Sequence, residues 1–286
     1  MVLYFGDPQG GLALLESGID LVGVVHGRRG GPGWRSFVPA VKHLPRWTTP
    51  DLEDPSVRDR LMELKPTLIV SCFYPRVIPQ TLLDAVPGIN VHPSPLPRWR
   101  GPDPCTWAIR SGDQSTALSV HWLSKGIDEG DIIEMRTMPI KARDTSGRLA
   151  YRLEADGAQM IAQVARRIID GETMSAMPQK GEVSWAPLVP DDDWEIDWNQ
   201  PASQVDALVR AAHPEPGAYT GIGNELMVIL SGQVASAGRF EILTPGTPFI
   251  RDECVHILCG EGAFRLGRVR LGRRPMGGKA LAKLLS

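Results

Sequence analysis

The chain has few cysteines, no long hydrophobic run and no excess of charge of one sign. Its 286 residues include four cysteines, too few for a disulfide framework in a chain long enough to bury its own core. No segment approaches the ~18 to 20 consecutive apolar residues of a membrane-spanning helix. The N-terminus also lacks the basic segment and cleavage site of a secretory signal. We therefore expect a cytoplasmic protein with reduced thiols and no membrane contact.

The balance of charge narrows the class of partner. The 31 lysines and arginines nearly cancel the 33 acids, for a formal net charge of −2, so the chain as a whole lacks the basic character of a nucleic-acid-covered protein. A metal site is not expected either. Cys254 and Cys259 lie close to His256, but in an extended strand cysteines five positions apart point to opposite faces.

Short apolar runs alternate with helical patterns in the first two thirds of the chain. The runs at 2–5, 21–25, 67–72, 89–92, 117–123 and 132–138 have the composition of strands, and helical spacing occurs at 11–17, 57–63, 79–85 and 145–169. Continuous rather than alternating apolarity is typical of strands covered by helices on both faces. The pattern predicts an α/β domain with a parallel sheet.

Composition changes beyond this region. Residues 191–197 contain five acids, which favours an interdomain linker. A helix is predicted over 201–212, and the rest is rich in Gly, Val, Ile and Leu with regular turn signals, as in a small β-barrel. We predict domains at 1–180 and 201–286 with a linker at 181–200. The tail from residue 264 holds seven lysines or arginines and no acid.

Two segments have residues suited to catalysis. Asn90 and His92 end an apolar strand, where ligands bind in open α/β sheets, and their spacing of two places both side chains on one face. Two N–H donors aimed at one point can stabilise an oxyanion. Farther along the chain, Gly126 and Gly130 bracket Asp128 in a short loop that can hold a carboxylate against a strand end.

The combined motif is similar to that of the folate-dependent formyltransferases. It comprises Asn90, His92, the loop Ser94-Pro-Leu-Pro97, Arg100-Gly101, Ser119-Val-His121 and Asp128. The resemblance implies a Rossmann-like, mostly parallel sheet in an N-terminal catalytic domain, followed by a β-barrel-like C-terminal domain. It implies 10-formyltetrahydrofolate as formyl donor and no metal. One departure is Pro95, where the family usually has leucine.

The resemblance also implies roles for individual residues. Asn90, His92 and Asp128 would be catalytic, with His92 protonated through Asp128, and Ser119 and His121 would support them. The residues expected to bind the folate are Phe73, Tyr74, Arg76, Val77, Ile78, Ile127 and Asp131. Those expected to bind the acceptor are Arg98 and Arg100 beside the motif, and Arg28 and Arg35 in a glycine-rich segment suited to an anionic group.

The acceptor is less constrained. The segments 196–198, 210–211 and 214–219 resemble the C-terminal domain of methionyl-tRNA and amino-sugar formyltransferases. The net charge and the acidic segment favour a small amine or hydroxylamine, such as an amino sugar nucleotide or a siderophore precursor, with methionyl-tRNA as the alternative. Hydrolysis of formyltetrahydrofolate is a second alternative, because the same motif serves both reactions. An oligomer is compatible with the resemblance.

Overall fold

The computed structural model describes residues 1–27, 30–222, 225–240 and 242–285. They form two compact units. The first comprises Met1–Pro104, Ser115–Pro139 and Ala150–Ala186, and the second comprises Cys105–Gln114, Ile140–Leu149 and the chain from Pro187 onward. The proposed linker is thus divided, with residues 181–186 in the first unit and 187–200 in the second. The domain boundaries themselves stay a prediction.

The first unit is built on one seven-stranded sheet of order β3-β2-β1-β4-β5-β6-β7. The strands are β1 (Val2–Gly6), β2 (Leu21–His26), β3 (Arg46–Thr48), β4 (Leu68–Cys72), β5 (Gly88–His92), β6 (Ser115–Trp122) and β7 (Ile132–Pro139). β1 to β5 are parallel, whereas β5, β6 and β7 pair antiparallel. The predicted Rossmann-like, mostly parallel sheet is confirmed.

Helices alternate with the strands of this sheet along the chain, and the hydrophobic pattern indicates four of them, at 11–17, 57–63, 79–85 and 145–169. The helices are α1 (Pro8–Glu16), α2 (Trp34–Ala40), α3 (Pro55–Met62), α4 (Gln80–Leu83) and α6 (Ser146–Ile169), whose first turn is grouped with the second unit together with most of α5 (Pro104–Arg110). Asp7 and Asp54 cap α1 and α3 by accepting backbone N–H bonds from Gly10 and Ser56, each at 2.8 Å. These caps fix where the chain turns from strand or loop into helix.

The central strands are buried and set the position of the site. Leu3, Phe5, Val25 and Ile69 belong to one apolar cluster with at most 5% exposure of any member, as expected for strands that helices cover. The chain reverses its strand order between β1 and β4, and ligands bind beyond the carboxyl ends of strands near such a point. The loops after β4 and β5 leave the sheet at that edge.

The second unit is rich in antiparallel strands, as predicted. α7 (Ala202–Ala211) precedes two four-stranded sheets, and α8 (Gly278–Leu285) ends the chain. One sheet has the order β15 (Arg274–Gly277), β14 (Arg268–Leu271), β9 (Glu225–Ile229), β8 (Ala218–Ile222); the other has the order β10 (Gly232–Ala235), β13 (Ala263–Leu266), β12 (Cys254–Leu258), β11 (Pro248–Arg251).

The acidic segment is packed rather than extended. Asp191–Trp194 forms a 3-10 turn, and Trp194 and Ile196 are only 4% and 5% exposed. The backbone of Glu195 bridges to Tyr219 in β8. Acids face the solvent while the two apolar side chains between them join the core of the second unit. Among the described residues, no helix has the length and apolarity needed to cross a membrane.

Candidate active site

The pairing of β5 with β6 gathers four polar side chains. Asn90 lies opposite His121, and His92 lies opposite Ser119. Because directly paired residues of antiparallel strands point to the same face, these four side chains share one face of the sheet. Sequence spacing alone placed Asn90 with His92; the strand register adds the two residues predicted to support them.

His121 fixes the orientation of the Asn90 amide. Nδ1 of His121 is 2.9 Å from the carbonyl oxygen of Trp122, so Nδ1 carries the proton. Nε2 then accepts a hydrogen bond from Nδ2 of Asn90 at 3.2 Å. An amide nitrogen has two N–H bonds, and the second can donate to a substrate oxygen. The buried histidine therefore selects which end of the amide is the donor.

His92 is held in the same way by the following loop. The imidazole is 5% exposed, and Nε2 donates to the carbonyl oxygen of Trp99 at 2.8 Å. Nδ1 faces Oδ2 of Asp128 at 3.4 Å. Burial lowers the pKa of His92, and the opposing charge of Asp128 does not reverse this. A lowered pKa does not favour the expected protonation of His92 through Asp128, which stays a prediction; Nδ1 is the ring nitrogen that faces the carboxylate.

Asp128 supplies the charge of the site. Its Oδ2 accepts the backbone N–H of Gly101 at 3.0 Å, and its Oδ1 lies 3.5 Å from Nε2 of His121. Burial opposes ionisation of this carboxyl, but the charges of the His92 and His121 rings in their protonated forms, a hydrogen bond from protonated His121 and the Gly101 N–H together lower its pKa to about 2. Asp128 is thus a carboxylate at neutral pH, and it stabilises any proton that reaches Nδ1 of His92.

The loop between His92 and Gly101 is supported from two sides. Ser119 donates from Oγ to the carbonyl oxygen of Ser94 at 2.6 Å. From the other side, the N–H of Arg100 donates to the Ser184 carbonyl at 2.9 Å, and the N–H of Ala186 donates to the Arg100 carbonyl at 2.7 Å. The sequence offers no signal for this second support, because residues 184–186 lie in an irregular segment with no motif.

The predicted folate residues divide into two groups. Phe73, Tyr74, Arg76 and Val77 follow β4; Phe73 and Tyr74 are partly exposed and Val77 is 61% exposed. Beyond β6, Ile127 is 47% exposed and Asp131 is exposed. These side chains can meet a ligand. Ile78 is different, because it is 5% exposed and packs in the apolar cluster of the sheet, so its predicted contact with the folate is not supported.

The predicted acceptor residues also differ. Arg98 is exposed, with its guanidinium 4.3 Å from the centre of the Trp99 ring, and Arg35 is exposed on α2. Arg28 lies outside the described residues. Arg100 is 9% exposed and its guanidinium is bound by Gln179 and Glu129. The side chain of Arg100 is thus bound within the protein, and its contact with the acceptor stays a prediction.

Sequence reasoning missed a partly buried acidic pair in the first unit. Asp7 follows β1, and Glu154 lies on α6. Burial raises the pKa of Asp7, and burial together with the charge of Asp7 raises the pKa of Glu154 to about 7. Tyr4 and Cys72 lie nearby, and burial raises the pKa of both. Throughout the described part of the chain, no group of three or more His, Cys, Asp or Glu side chains could hold a metal ion.

Comparison with known proteins agrees with the fold and the motif. Residues 32–165 match the family model described as formyl transferase, and residues 189–285 match that of the formyl transferase C-terminal domain. The methionyl-tRNA formyltransferase of Pseudomonas entomophila is 34% identical over 283 residues, covering 94% of this chain and 88% of the relative. That of Marinobacter nauticus is 30% identical over 270 residues, covering 90% and 86%.

Solved structures share the fold at lower identity. An N-formyltransferase from Helicobacter canadensis, in complex with folinic acid and dTDP-3-aminofucose, is 17% identical with a TM-score of 0.68, covering 93% of this chain and 97% of that one. HypX from Aquifex aeolicus, in complex with tetrahydrofolic acid, is 21% identical with a TM-score of 0.64, covering 98% of this chain and 46% of that one. The predicted enzyme class, a formyltransferase whose structural neighbours bind reduced folates, is confirmed. Matches to both family models, and relatives aligned over most of their length, show that this chain belongs to the formyl transferase family.

Proposed function

We propose that this protein transfers the formyl group of 10-formyltetrahydrofolate to a primary amine. The observation that carries the proposal is the arrangement of Asn90, His92 and Asp128 at one end of the sheet, with the imidazole between a carboxylate and a backbone carbonyl. Acyl transfer to an amine needs a donor for the developing oxyanion and a base for the amine proton. Both are present within one cluster.

The residues suit the two stages of the reaction. When the amine nitrogen bonds to the formyl carbon, the N–H of Asn90 donates to the oxygen that becomes negative. The amine proton passes to Nδ1 of His92, where the Asp128 carboxylate stabilises the imidazolium. When the bond between the formyl carbon and N10 breaks, His92 returns this proton to N10. The products are the formylated amine and tetrahydrofolate, and the enzyme regains its neutral imidazole.

The folate is assigned to the loop after β4 and the loop that carries Asp128. Phe73, Tyr74 and Val77 offer ring and aliphatic contacts, and Ile127 is the exposed apolar side chain beside Asp128. A planar pterin packs well against such apolar surfaces. Arg76 is exposed on the same loop and suits the carboxylates of the folate tail.

Methionyl-tRNA is the first acceptor to test. The support is that relatives named methionyl-tRNA formyltransferase align with this chain at 30% to 34% identity over both domains. The second unit also presents arginines on β14 and the β15 hairpin, with Arg268, Arg273 and Arg274 exposed. Affinity for nucleic acid depends largely on such interactions with phosphate.

A small-molecule amine is the second candidate, favoured by the distribution of charge. The net charge is −2, and Asp191, Asp192, Asp193 and Glu195 are exposed in the same unit as the arginines. An acidic surface of this kind opposes a polyanion but not an amino sugar nucleotide or a hydroxylamine. Arg98 and Arg35 then suit the anionic group of a small acceptor.

One assay distinguishes these functions. The release of tetrahydrofolate from 10-formyltetrahydrofolate is measured with methionyl-tRNA, with a panel of amino sugar nucleotides, with hydroxyornithine and without acceptor, and products are identified by mass. Formylation of one acceptor supports transfer and names the class. Equal release with and without acceptors, with formate as product, would identify a hydrolase instead. His92→Ala is the control, and its activity at the wild-type level would contradict the proposed chemistry.

A further inference from the structure

The carboxylate of Asp128 depends on an unusual turn. Asp128 adopts φ of +52°, a left-handed backbone conformation that residues other than glycine rarely adopt. In this conformation of the loop the carboxylate reaches Gly101 and the two histidines. Backbone geometry of this kind persists where neighbouring groups hold it in place, so the question is what holds residues 128–130.

The side chain of Gln179 spans this turn. Its Nε2 donates to the carbonyl oxygen of Asp128 at 2.7 Å and to the carbonyl oxygen of Gly130 at 2.9 Å. The segment that carries Gln179 is itself fixed, since Met177 and Ile132 exchange two backbone hydrogen bonds of 2.9 Å at the start of β7. The Gln179 amide therefore binds the turn from a segment that is itself hydrogen-bonded to the start of β7.

The oxygen of the same amide accepts hydrogen bonds from the loop that follows His92. Oε1 of Gln179 accepts from Nη2 of Arg100 at 2.7 Å and from Nε at 3.2 Å. Nη1 of Arg100 donates to Glu129 at 3.2 Å, and the next residue, Gly101, donates its N–H to the Asp128 carboxylate. One side chain thus joins the backbone beneath Asp128 to the loop whose Trp99 carbonyl orients His92.

We infer that Gln179 is a positioning residue of the active site, which sets Asp128 against His92 by joining the turn at 128–130 to Arg100. This inference rests on the proposed function. Only a carboxamide satisfies both ends, because it offers N–H donors to two carbonyls and a carbonyl acceptor to a guanidinium. A glutamate in its place keeps the acceptor for Arg100 but sets carboxylate oxygens against the carbonyl oxygens of Asp128 and Gly130.

Gln179→Glu and Gln179→Met separate the two halves of this role. Methionine has similar size and lacks both the donors and the acceptor, whereas glutamate lacks only the donors. We expect both variants to lower kcat by ~10²-fold, the loss that follows misplacement of a catalytic group by about 1 Å, with the Kd for folate changed less than threefold. Gln163→Glu on the exposed face of α6 is the matched control and is expected to keep wild-type kcat.

A double variant tests whether Gln179 acts through Asp128. In an Asp128→Asn background, single-turnover rates should fall less than threefold further on Gln179→Glu, because the carboxylate that Gln179 positions is already absent. An equal reduction in both backgrounds would overturn the inference. Wild-type kcat in Gln179→Glu with a reduced kcat in Gln179→Met would also overturn it, since Gln179 would then serve only Arg100.

A measurement without substrate keeps this test independent of the proposed reaction. The ring 15N signals of His92 and His121 report the nearby carboxylate, and we expect them to shift in Gln179→Glu and to remain in place in Gln163→Glu. Unshifted histidine signals would overturn the inference even in an active enzyme. If the wild-type protein shows no formyl transfer, the proposed function fails, while shifted signals still support the role of Gln179 in placing Asp128.

Discussion

The Asn90 amide has its orientation set by a neighbour that never needs to touch substrate. In the neutral His121 ring, Nδ1 donates to the Trp122 carbonyl and Nε2 accepts, so the Asn90 amide turns its nitrogen toward Nε2. An oxyanion donor that is already oriented needs no rearrangement as charge develops. His121 thus orients the Asn90 amide as an N–H donor before the substrate binds.

Asn90→Ala should lower kcat by ~10²- to 10³-fold, because one preorganised donor to the oxyanion is removed. Asn90 is partly exposed at the end of β5, so the fold should persist. Steady-state formyl transfer and the thermal midpoint are the two measurements. A kcat within threefold of wild type, with an unchanged midpoint, would remove Asn90 from the mechanism.

At the scale of elements, the two glycines of the turn that carries Asp128 have different neighbours: one lies against a strand backbone and the other against a side chain. A Cβ added at Gly130 would collide with the backbone carbonyl of Trp122 in β6, whereas the nearest atoms to a Cβ added at Gly126 belong to the Glu129 side chain. The turn therefore has one glycine that close backbone approach requires and one that a side-chain movement can replace.

Gly130→Ala should destabilise the protein by about 1–3 kcal/mol, because the strand backbone cannot move aside without strain, and it should also reduce kcat by displacing Asp128. Gly126→Ala is the matched control and should shift the midpoint of urea unfolding less, because only the Glu129 side chain has to move, away from Arg100. The same midpoint shift in both variants would show that the approach of Gly130 to β6 is not what constrains the turn.

Helix α6 carries a partly buried acid whose titration affects stability. The pKa of Glu154 is raised to about 7 by burial and by the charge of Asp7. A carboxyl with a raised folded-state pKa favours folding below its unfolded pKa near 4.5, and that contribution is lost as pH rises toward 7. Stability should therefore decline between these pH values.

Glu154→Gln should abolish this decline, because the amide resembles the protonated acid at every pH. We expect the variant to be more stable than wild type above pH 7 by about 1–2 kcal/mol, after allowance for solvent screening of a partly exposed group. Urea unfolding at pH 5 and pH 8 provides the comparison. An equal difference between variant and wild type at both pH values would contradict the assignment.

Much of the element order could be predicted because the strands are continuous apolar runs. The bounds of β1, β2, β4 and β5 agree with the pattern within about one residue. The helices α2 and α5 and the strand β3, each seven residues or shorter, were not predicted because a short element shows little hydrophobic period. The equally short α4 was predicted, as part of a longer pattern at 79–85. Short elements take their structure from tertiary contacts rather than from local pattern.

The candidate site shows the same division. Asn90, His92 and Asp128 stand in a recognisable motif, and the structure brings them together. Gln179 acts through its side-chain amide, which binds the Asp128 carbonyl, and Ser184 acts through its hydroxyl, which accepts the N–H of Trp99. Both residues lie in a segment without regular structure. Such interactions depend on where a segment distant in sequence packs against a loop. No residue spacing in a single sequence predicts that packing.

At the scale of the whole molecule, positive and negative side chains lie on different segments, although their sum is close to zero. The exposed acids at 191–193 contrast with arginines on the antiparallel sheet of the second unit, where Arg268 and Arg270 alternate with the buried Val269. Residues that alternate along a strand face the same side, so these two arginines present adjacent positive charges. A nearly neutral total thus conceals a local surface suited to phosphate.

If methionyl-tRNA is the acceptor, Arg268→Gln combined with Arg270→Gln should raise KM for tRNA and reduce the slope of log KM against log salt by about 1 for each phosphate that no longer meets an arginine. The control pair is Arg166→Gln with Arg167→Gln, which removes two exposed charges already paired with Asp170 and Glu172. Equal salt dependence in both double variants would place the tRNA elsewhere.

The hydrogen bond from the Trp99 N–H to the Ser184 hydroxyl joins residues 85 positions apart. The loop that orients His92 is therefore complete only after α6 and the segment behind it have been synthesised. While the chain emerges from a ribosome, β5 and its catalytic side chains precede their own support by that length. Interactions of such long range form late in folding because the closure of the intervening chain costs entropy before it is rewarded. A nascent chain that ends at the predicted domain boundary of residue 180 would contain every residue of the motif and still lack a finished active site.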